Sequence, residues 1–249
     1  MSAGFQIVRL YGVDCNQVSL ALEAVASTGV DLKLFLGIFD LSTATSQIDT
    51  MISAMNGNWD SVVTVSIGNE PVNSGTDSVS TVLSTTTACR SQLRAYLTQL
   101  CEMLMISAGY NGPVVAVDTF LAILNNPSLC EASDYIAANA HPFFDGTVAA
   151  SGAGDWVALQ SSKLAATCSG KEVLITGTQH RLNLLTAESG WPSQGDTNGA
   201  AVPSTANQAT ARAAILSSMS NKVIMFSAFD DLWKSPGQYD VEQYWGLLS

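Results

Sequence analysis

Short apolar runs alternate with segments of helical spacing along the whole chain, and this alternation narrows the fold more than any other feature. The runs are Gln6–Gly12, Asp31–Phe39, Val62–Ile67, Gly112–Phe120, Tyr135–Phe144, Glu172–Thr176 and Lys222–Phe229. Between them, Val18–Ser27, Ser46–Met55, Val79–Ala108, Trp156–Thr167 and Asn207–Ser218 carry apolar residues at helical spacing. Strands that are apolar almost throughout suit a parallel sheet whose faces are both covered by helices. Seven such units predict an α/β fold, a (β/α)8 TIM-type barrel lacking its first strand, rather than an open doubly wound sheet. Gly68-Asn69-Glu70 is not a dinucleotide fingerprint, which also disfavours the doubly wound alternative. The whole of 1–249 reads as a single barrel domain, beginning at what looks like the second strand.

Composition removes several classes of function. The net charge is -11, with no Lys/Arg cluster, so neither nucleic acid nor an anionic membrane surface is an expected partner. No apolar span reaches the roughly 18 residues that a transmembrane helix needs. Met1-Ser2-Ala3-Gly4 carries no signal peptide. The five cysteines, Cys15, Cys89, Cys101, Cys130 and Cys168, show no metal-binding spacing. Their odd number leaves at least one thiol unpaired if the others form disulfides, and the pairing stays open.

The acidic residues show where chemistry would sit. Asp14, Asp40, Glu70, Asp118, Asp145 and Asp230 all fall at or just past the C-terminal ends of the apolar runs, the face on which barrel enzymes build their sites. Two glutamates share one design: Ser66-Ile67-Gly68-Asn69-Glu70-Pro71 and Thr186-Ala187-Glu188-Ser189-Gly190-Trp191-Pro192-Ser193 each pass from an apolar stretch to a glutamate and then to a structure breaker. Read singly, each is an ordinary loop acid; read together, they suit a catalytic pair. His141 and His180 are the only histidines, too few for a zinc site, and His141 reads as a hydrogen-bonding wall residue. Glu188-Ser189-Gly190 is not a serine-nucleophile elbow. Lys33, Lys171 and Lys222 stand at strand starts, the wrong face for a Schiff base, and only Lys234 lies beyond a strand end. Carboxylate chemistry remains, and cleavage of a glycosidic bond needs two acids, one protonated and one ionised. Tyr11, Phe143, Phe144, Trp191 and Trp233, near strand exits, could stack on sugar faces or serve as rim packing.

Four ordered motifs then carry a resemblance across nearly the whole chain. Val8-Arg9-Leu10-Tyr11-Gly12-Val13-Asp14-Cys15-Asn16-Gln17, Ile67-Gly68-Asn69-Glu70, Glu188-Ser189-Gly190-Trp191-Pro192-Ser193 and Phe229-Asp230-Asp231-Leu232-Trp233-Lys234 resemble family 17 of the glycoside hydrolases, in its fungal cell-wall branch of β-1,3-glucanases and glucanosyltransferases. The resemblance implies a retaining (β/α)8 barrel acting on β-1,3-glucan without metal or organic cofactor, in the extracellular cell wall. It implies Glu70 as general acid/base and Glu188 as nucleophile, their carboxyls about 5 to 5.5 Å apart. Asn69 would bond the sugar beside the nucleophile, and Tyr11, Asp231 and Lys234 match cleft-lining positions. A barrel with its strands complete is expected to be monomeric, whereas unpaired edges at Ile7–Leu10 and Val223–Phe226 would pair with other chains.

The chain departs from the family pattern in two internal places. Tyr96–Ser107 interrupts a segment that is usually short, and Gly177–Ala187 separates Thr176 from Glu188. Both read as insertions of the kind that a retained intron would add, which transcript sequencing would check. The second insertion leaves two segments, Glu172–Thr176 and Leu182–Ala187, competing for one barrel slot. The β-branched residues Val173 and Ile175 favour the first, which would leave Glu188 on a long excursion. A β-glucan-binding wall protein that has lost turnover, or a purely structural wall protein, are the alternatives to an enzyme.

Overall fold

The computed structural model describes residues 5–29, 31–97, 106–107, 109–168, 175–177, 180–182, 186–220 and 223–248. The chain forms two compact units, Met1–Ala137 with Gly170–Asn183, and Ala138–Ser169 with Leu184–Ser249. Seven strands belong to one sheet, in chain order: β1 (Ile7–Arg9), β2 (Lys33–Ile38), β3 (Val62–Ile67), β4 (Val114–Thr119), β5 (Ala137–Asn139), β6 (Thr186–Ser189) and β7 (Val223–Met225). This is the strand order of a TIM-type barrel.

In the first unit β1, β2, β3 and β4 pair in parallel, with Val8 opposite Leu34, Ile38 opposite Ile67 and Ser66 opposite Val115. All six residues of β3 are buried, as are five of six in both β2 and β4, so these strands are apolar because they have no wet face. The helices show the complementary pattern. Helix α1 spans Gln17–Thr28. Helix α2 (Ala44–Met55) buries Ala44, Ile48, Met51 and Met55, one stripe at spacings of four and three. Helix α3 (Val79–Arg94) buries Val82, Thr86, Cys89 and Leu93 on one face, and the Ser78 hydroxyl caps its start by accepting from Thr81 N. The expected helix to Ala108 ends early. Ala95 is extended, and Tyr96–Leu97 pairs antiparallel with Ile106–Ser107. Helices α4 (Phe120–Asn125) and α5 (Leu129–Ala132) follow β4.

In the second unit β6 pairs in parallel with β5 on one side and β7 on the other: Thr186 is opposite both Ala138 and Val223, Glu188 opposite Asn139, and Ser189 opposite Met225. Helices α6 (Ala153–Thr167) and α7 (Thr205–Ser218) pack with these strands. Their shared core holds Phe143, Val157, Trp191, Ile215, Val241 and Trp245.

This ladder corrects the expectation for the contested slot. Thr186–Ser189 occupies it, so the chain enters Glu188 directly from a strand. Ile175–Gly177 instead pairs antiparallel with His180–Leu182, outside the seven-strand series; Glu172, Val173 and Leu174 lie outside the described residues. The physical reason lies downstream. Trp191 is fully enclosed, its indole N–H donates to Val202 O, and Ser193 N donates to Tyr244 O. These anchors fix the register of Glu188 and Ser189, and connectivity brings Thr186 and Ala187 with them. Strand propensity spans only about 1 kcal/mol, whereas burying one large aromatic contributes more.

Cys130 and Cys168 are each engaged in a disulfide, while Cys15 is an exposed thiol and Cys89 a buried one. Burial pushes the Cys89 thiol up to about 11. Cys101 lies outside the described residues. Among the described residues no helix is long and apolar enough to cross a membrane.

Candidate active site

Glu70 follows β3 on a turn of unusual backbone. Gly68 has φ 78° and Glu70 φ 59°, a left-handed conformation that costs a non-glycine residue about 1–2 kcal/mol. The surroundings hold it there. Glu70 N donates to Val117 O at 3.0 Å, and Ser74 returns both its backbone N–H (2.9 Å) and its hydroxyl (2.8 Å) to Glu70 O. Asn73 Nδ2 donates to Glu70 Oε2 at 3.3 Å. Beside it, Asn69 Oδ1 accepts from Arg9 Nη2 at 2.9 Å, and the Arg9 guanidinium lies 4.4 Å from the centre of the Tyr11 ring. The first unit therefore brings together Tyr11, Asn69 and Glu70. Arg9 is the link between them, and sequence reading passed over it. Its signal was present, since an arginine inside an apolar strand needs a partner.

Glu188 stands near the C-terminal end of β6 and is 5% exposed. His141 Nε2 lies 3.5 Å from Glu188 Oε1, and Ala140 N donates to Glu188 O at 3.0 Å. The imidazole is boxed edge-on by Trp245 at 5.0 Å, Phe226 at 5.7 Å and Phe144 at 6.4 Å. Its Nδ1 is buried without a hydrogen-bond partner among the described residues, so a ring proton is best placed on Nε2, facing the carboxylate. Lys234 Nζ lies 4.7 Å from the centre of the same Phe226 ring and pairs with Asp231 Oδ2 at 2.8 Å. The second unit thus gathers Glu188, Phe144, Asp231 and Lys234 around His141 and Phe226. Trp245 belongs to this group too; a tryptophan in the C-terminal tail gave no strand-end signal by which to find it.

Two expected sugar-stacking residues are placed otherwise. Phe143 is 0% and Trp191 1% exposed. Both rings meet edge to face in the core at 5.5 Å, so packing, not an open face, is what they provide. Phe144 at 42%, Phe229 at 64% and Trp233 at 81% are exposed aromatics near this unit's strand exits. Three other strand-end acids have structural partners. Asp40 accepts from Ser42 and Thr43, Asp145 from Thr147 and Trp156, and Asp230 from Gly246 N. Among the described residues no group of three or more His, Cys, Asp or Glu could hold a metal ion.

A parallel strand series in barrel order, with carboxylates at its strand exits, is the architecture that barrel enzymes share. Residues 1–246 match the family model described as the BtgE/BtgC glycoside hydrolase domain, and the chain belongs to that family. It is 47% identical over 249 residues to the cell surface mannoprotein MP65 of Candida albicans and 46% identical to the probable family 17 glucosidase SCW10 of Saccharomyces cerevisiae. The alignments cover 99% of this chain in each case, and the chain spans only 59% and 57% of those relatives. Among solved structures it is similar to a glycoside hydrolase family 17 β-1,3-glucanosyltransferase from Rhizomucor miehei, with a TM-score of 0.74 at 20% identity, covering 97% of this chain and 80% of that one. An active-site mutant of that enzyme has been solved in complex with laminaritriose. At this identity the likeness shows the fold.

Proposed function

We propose that residues 1–249 form one catalytic domain, a retaining glycoside hydrolase that acts on β-1,3-glucan by hydrolysis, by transfer to another sugar, or by both. The observation that carries this reading is Glu188: a buried carboxylate near a strand C-terminal end, fixed by ladders on both sides and faced by His141, in a chain of a glycoside hydrolase family. The laminaritriose complex of the similar glucanosyltransferase supports the substrate class. The cell-surface relative supports a place in the cell wall, where the domain acts as a monomer.

In this reading an oxygen of Glu188 attacks the anomeric carbon as the bond to the leaving sugar breaks. Glu70, protonated, gives its proton to the departing oxygen. Glu70 then takes a proton from water or from a sugar hydroxyl, whose oxygen displaces Glu188 and restores the original anomeric configuration. The His141 imidazole beside Glu188 holds the nucleophile's orientation. Arg9 turns the oxygen of the Asn69 amide toward itself, so the amide's NH2 points the other way, as a donor to a sugar hydroxyl. Tyr11, Phe144, Asp231 and Lys234 supply further sugar contacts.

The test is incubation with a defined β-1,3-linked oligosaccharide, reading product lengths and anomeric configuration. Shorter products mean hydrolysis, longer products mean transfer, and retention is expected in both. Glu188→Gln should abolish turnover, and azide should rescue Glu70→Ala through a glycosyl azide. Inverted products, or full activity in Glu188→Gln, would overturn the assignment. Binding without turnover in the unaltered chain would make it a glucan-binding protein.

A further inference from the structure

The turn that carries Glu70 hangs from a carboxylate that no step of the proposed reaction uses. Asp118, near the end of β4, is 3% exposed. It lies on the wall of a small cavity shared with Val82, Ile123 and Leu129. Its Oδ2 accepts from Val72 N at 2.8 Å, and its Oδ1 accepts from Asn73 N at 3.1 Å and Thr119 N at 2.8 Å. Two of these three donors belong to the segment just after Glu70. The next residue adds a second tie. Thr119 Oγ1 donates to Asn73 Oδ1 at 3.1 Å while accepting from Ala122 N at the start of α4. That bond turns the Asn73 amide so that its NH2 faces Glu70 Oε2 at 3.3 Å.

We propose that Asp118 and Asn73 are positioning residues for Glu70, Asp118 by fixing the backbone of its turn and Asn73 by holding its carboxyl and favouring the ionised form. This rests on the reading of Glu70 as acid/base. A simple loop anchor needs only the backbone bonds to Asp118. The side-chain relay from Thr119 through Asn73 adds nothing to the backbone and ends on the carboxyl that must gain and lose a proton. Donation to an ionised carboxylate stabilises that form, so Asn73 assists the half-reaction in which Glu70 is a base and eases proton release in the other. Charged groups near this turn among the described residues include Arg9 on β1, which bonds the neighbouring Asn69, and Asp118 itself. Asp40, past β2, is turned onto Ser42 and Thr43, and Glu188 is the partner in the proposed reaction.

The test uses Asn73→Ala, Thr119→Val with Thr119→Ser as the conservative control, and Asp118→Asn, each in the full chain. Asn73 has an exposed side chain, so Asn73→Ala should fold and melt like the parent. Its alkaline limb in kcat/KM against pH should move up by roughly half a pH unit or more, with kcat reduced several-fold and KM nearly unchanged. Thr119→Val should move the limb the same way, and Thr119→Ser should restore it. Asp118→Asn cannot accept all three N–H groups and should lower kcat more than either. If that variant does not fold, the Asn73 and Thr119 variants carry the test. The 13C titration of the Glu70 carboxyl, assigned by its loss in Glu70→Gln, reports the same shift without reference to turnover. That measurement separates a failure of this proposal from a failure of the acid/base reading, which Glu70→Ala and azide decide. A pH profile and a carboxyl titration unchanged in Asn73→Ala would overturn the proposal, as would a loss confined to KM.

Discussion

Replacing Gly190 with alanine probes how tightly the exit of β6 is fixed. A Cβ at this position would stand 2.4 Å from Phe226 O and 3.2 Å from Trp245 Cε3. Carbon contacts are comfortable at about 3.5 Å or more, so β6 and β7 must part by about 1 Å. The Phe226 N–H bond to Ser189 O, now 2.9 Å, would stretch beyond hydrogen-bond length. Overpacking costs about 1–3 kcal/mol and the lost bond about 0.5–1.5 kcal/mol. A chain of this size loses about 2–4 °C per kcal/mol, so the melting temperature should fall by about 3–18 °C. Glu188 lies two residues upstream, and a displacement of about 1 Å should cost on the order of 100-fold in turnover. Thermal melts followed by circular dichroism, alongside turnover of a β-1,3-oligosaccharide, measure both. Gly152→Ala is the control, because its Cβ would meet nothing closer than Val148 Cγ1 at 3.9 Å; it should shift the melt by no more than about 3 °C. A Gly190→Ala variant melting within about 2 °C of the parent with unchanged turnover would refute this account of the strand exit.

Deleting Gly177–Ala187 joins Thr176 to Glu188 and lets Ile175-Thr176 take the slot of Thr186-Ala187; because Glu188 stays at the strand end, kcat/KM should change far less than the roughly 100-fold expected of a 1 Å displacement, and a large gain would show that the insertion displaces the proposed nucleophile. Hydrogen bonds from the Thr147 hydroxyl, the Thr147 backbone and Trp156 hold Asp145 below the ordinary aspartate value of 3.8. Its contribution to stability is therefore present above that value and lost as pH falls through the folded value. Urea melts of Asp145→Asn should converge on the parent as pH falls through the lowered folded value, and a difference independent of pH would contradict the assignment. Asp118 runs the other way: burial raises it, so its ionised form costs stability as pH rises through the raised value. A thiol reagent should label Cys15 in the native protein and Cys89 only after unfolding, as peptide mapping can show; fast native labelling of Cys89 would contradict its burial.

The alternation of apolar runs and helical spacing determined the fold class, because strands enclosed on both faces must be apolar wherever their side chains are not hydrogen-bonded, as Thr64 and Ser66 are, and their covering helices must be striped. Val62–Ile67 and Ile48, Met51 and Met55 illustrate this directly. The sequence also marked Glu70 and Glu188, since a glutamate followed by a breaker at a strand exit is a local pattern. Local pattern could not decide which segment enters the sheet before Glu188. Val173 and Ile175 were the better strand formers, but the enclosed Trp191 and the bonds of Ser189 and Ser193 fix the register from downstream. Nor could it sort the aromatics: Phe143 and Phe144 are neighbours in sequence, yet one is sealed in the core and the other 42% exposed. Arg9 on Asn69, His141 on Glu188, and Asp118 with Thr119 on the Glu70 turn join residues tens of positions apart. Only the tertiary structure brings such partners within hydrogen-bonding range, because proximity across strands depends on sheet register and not on spacing along the chain.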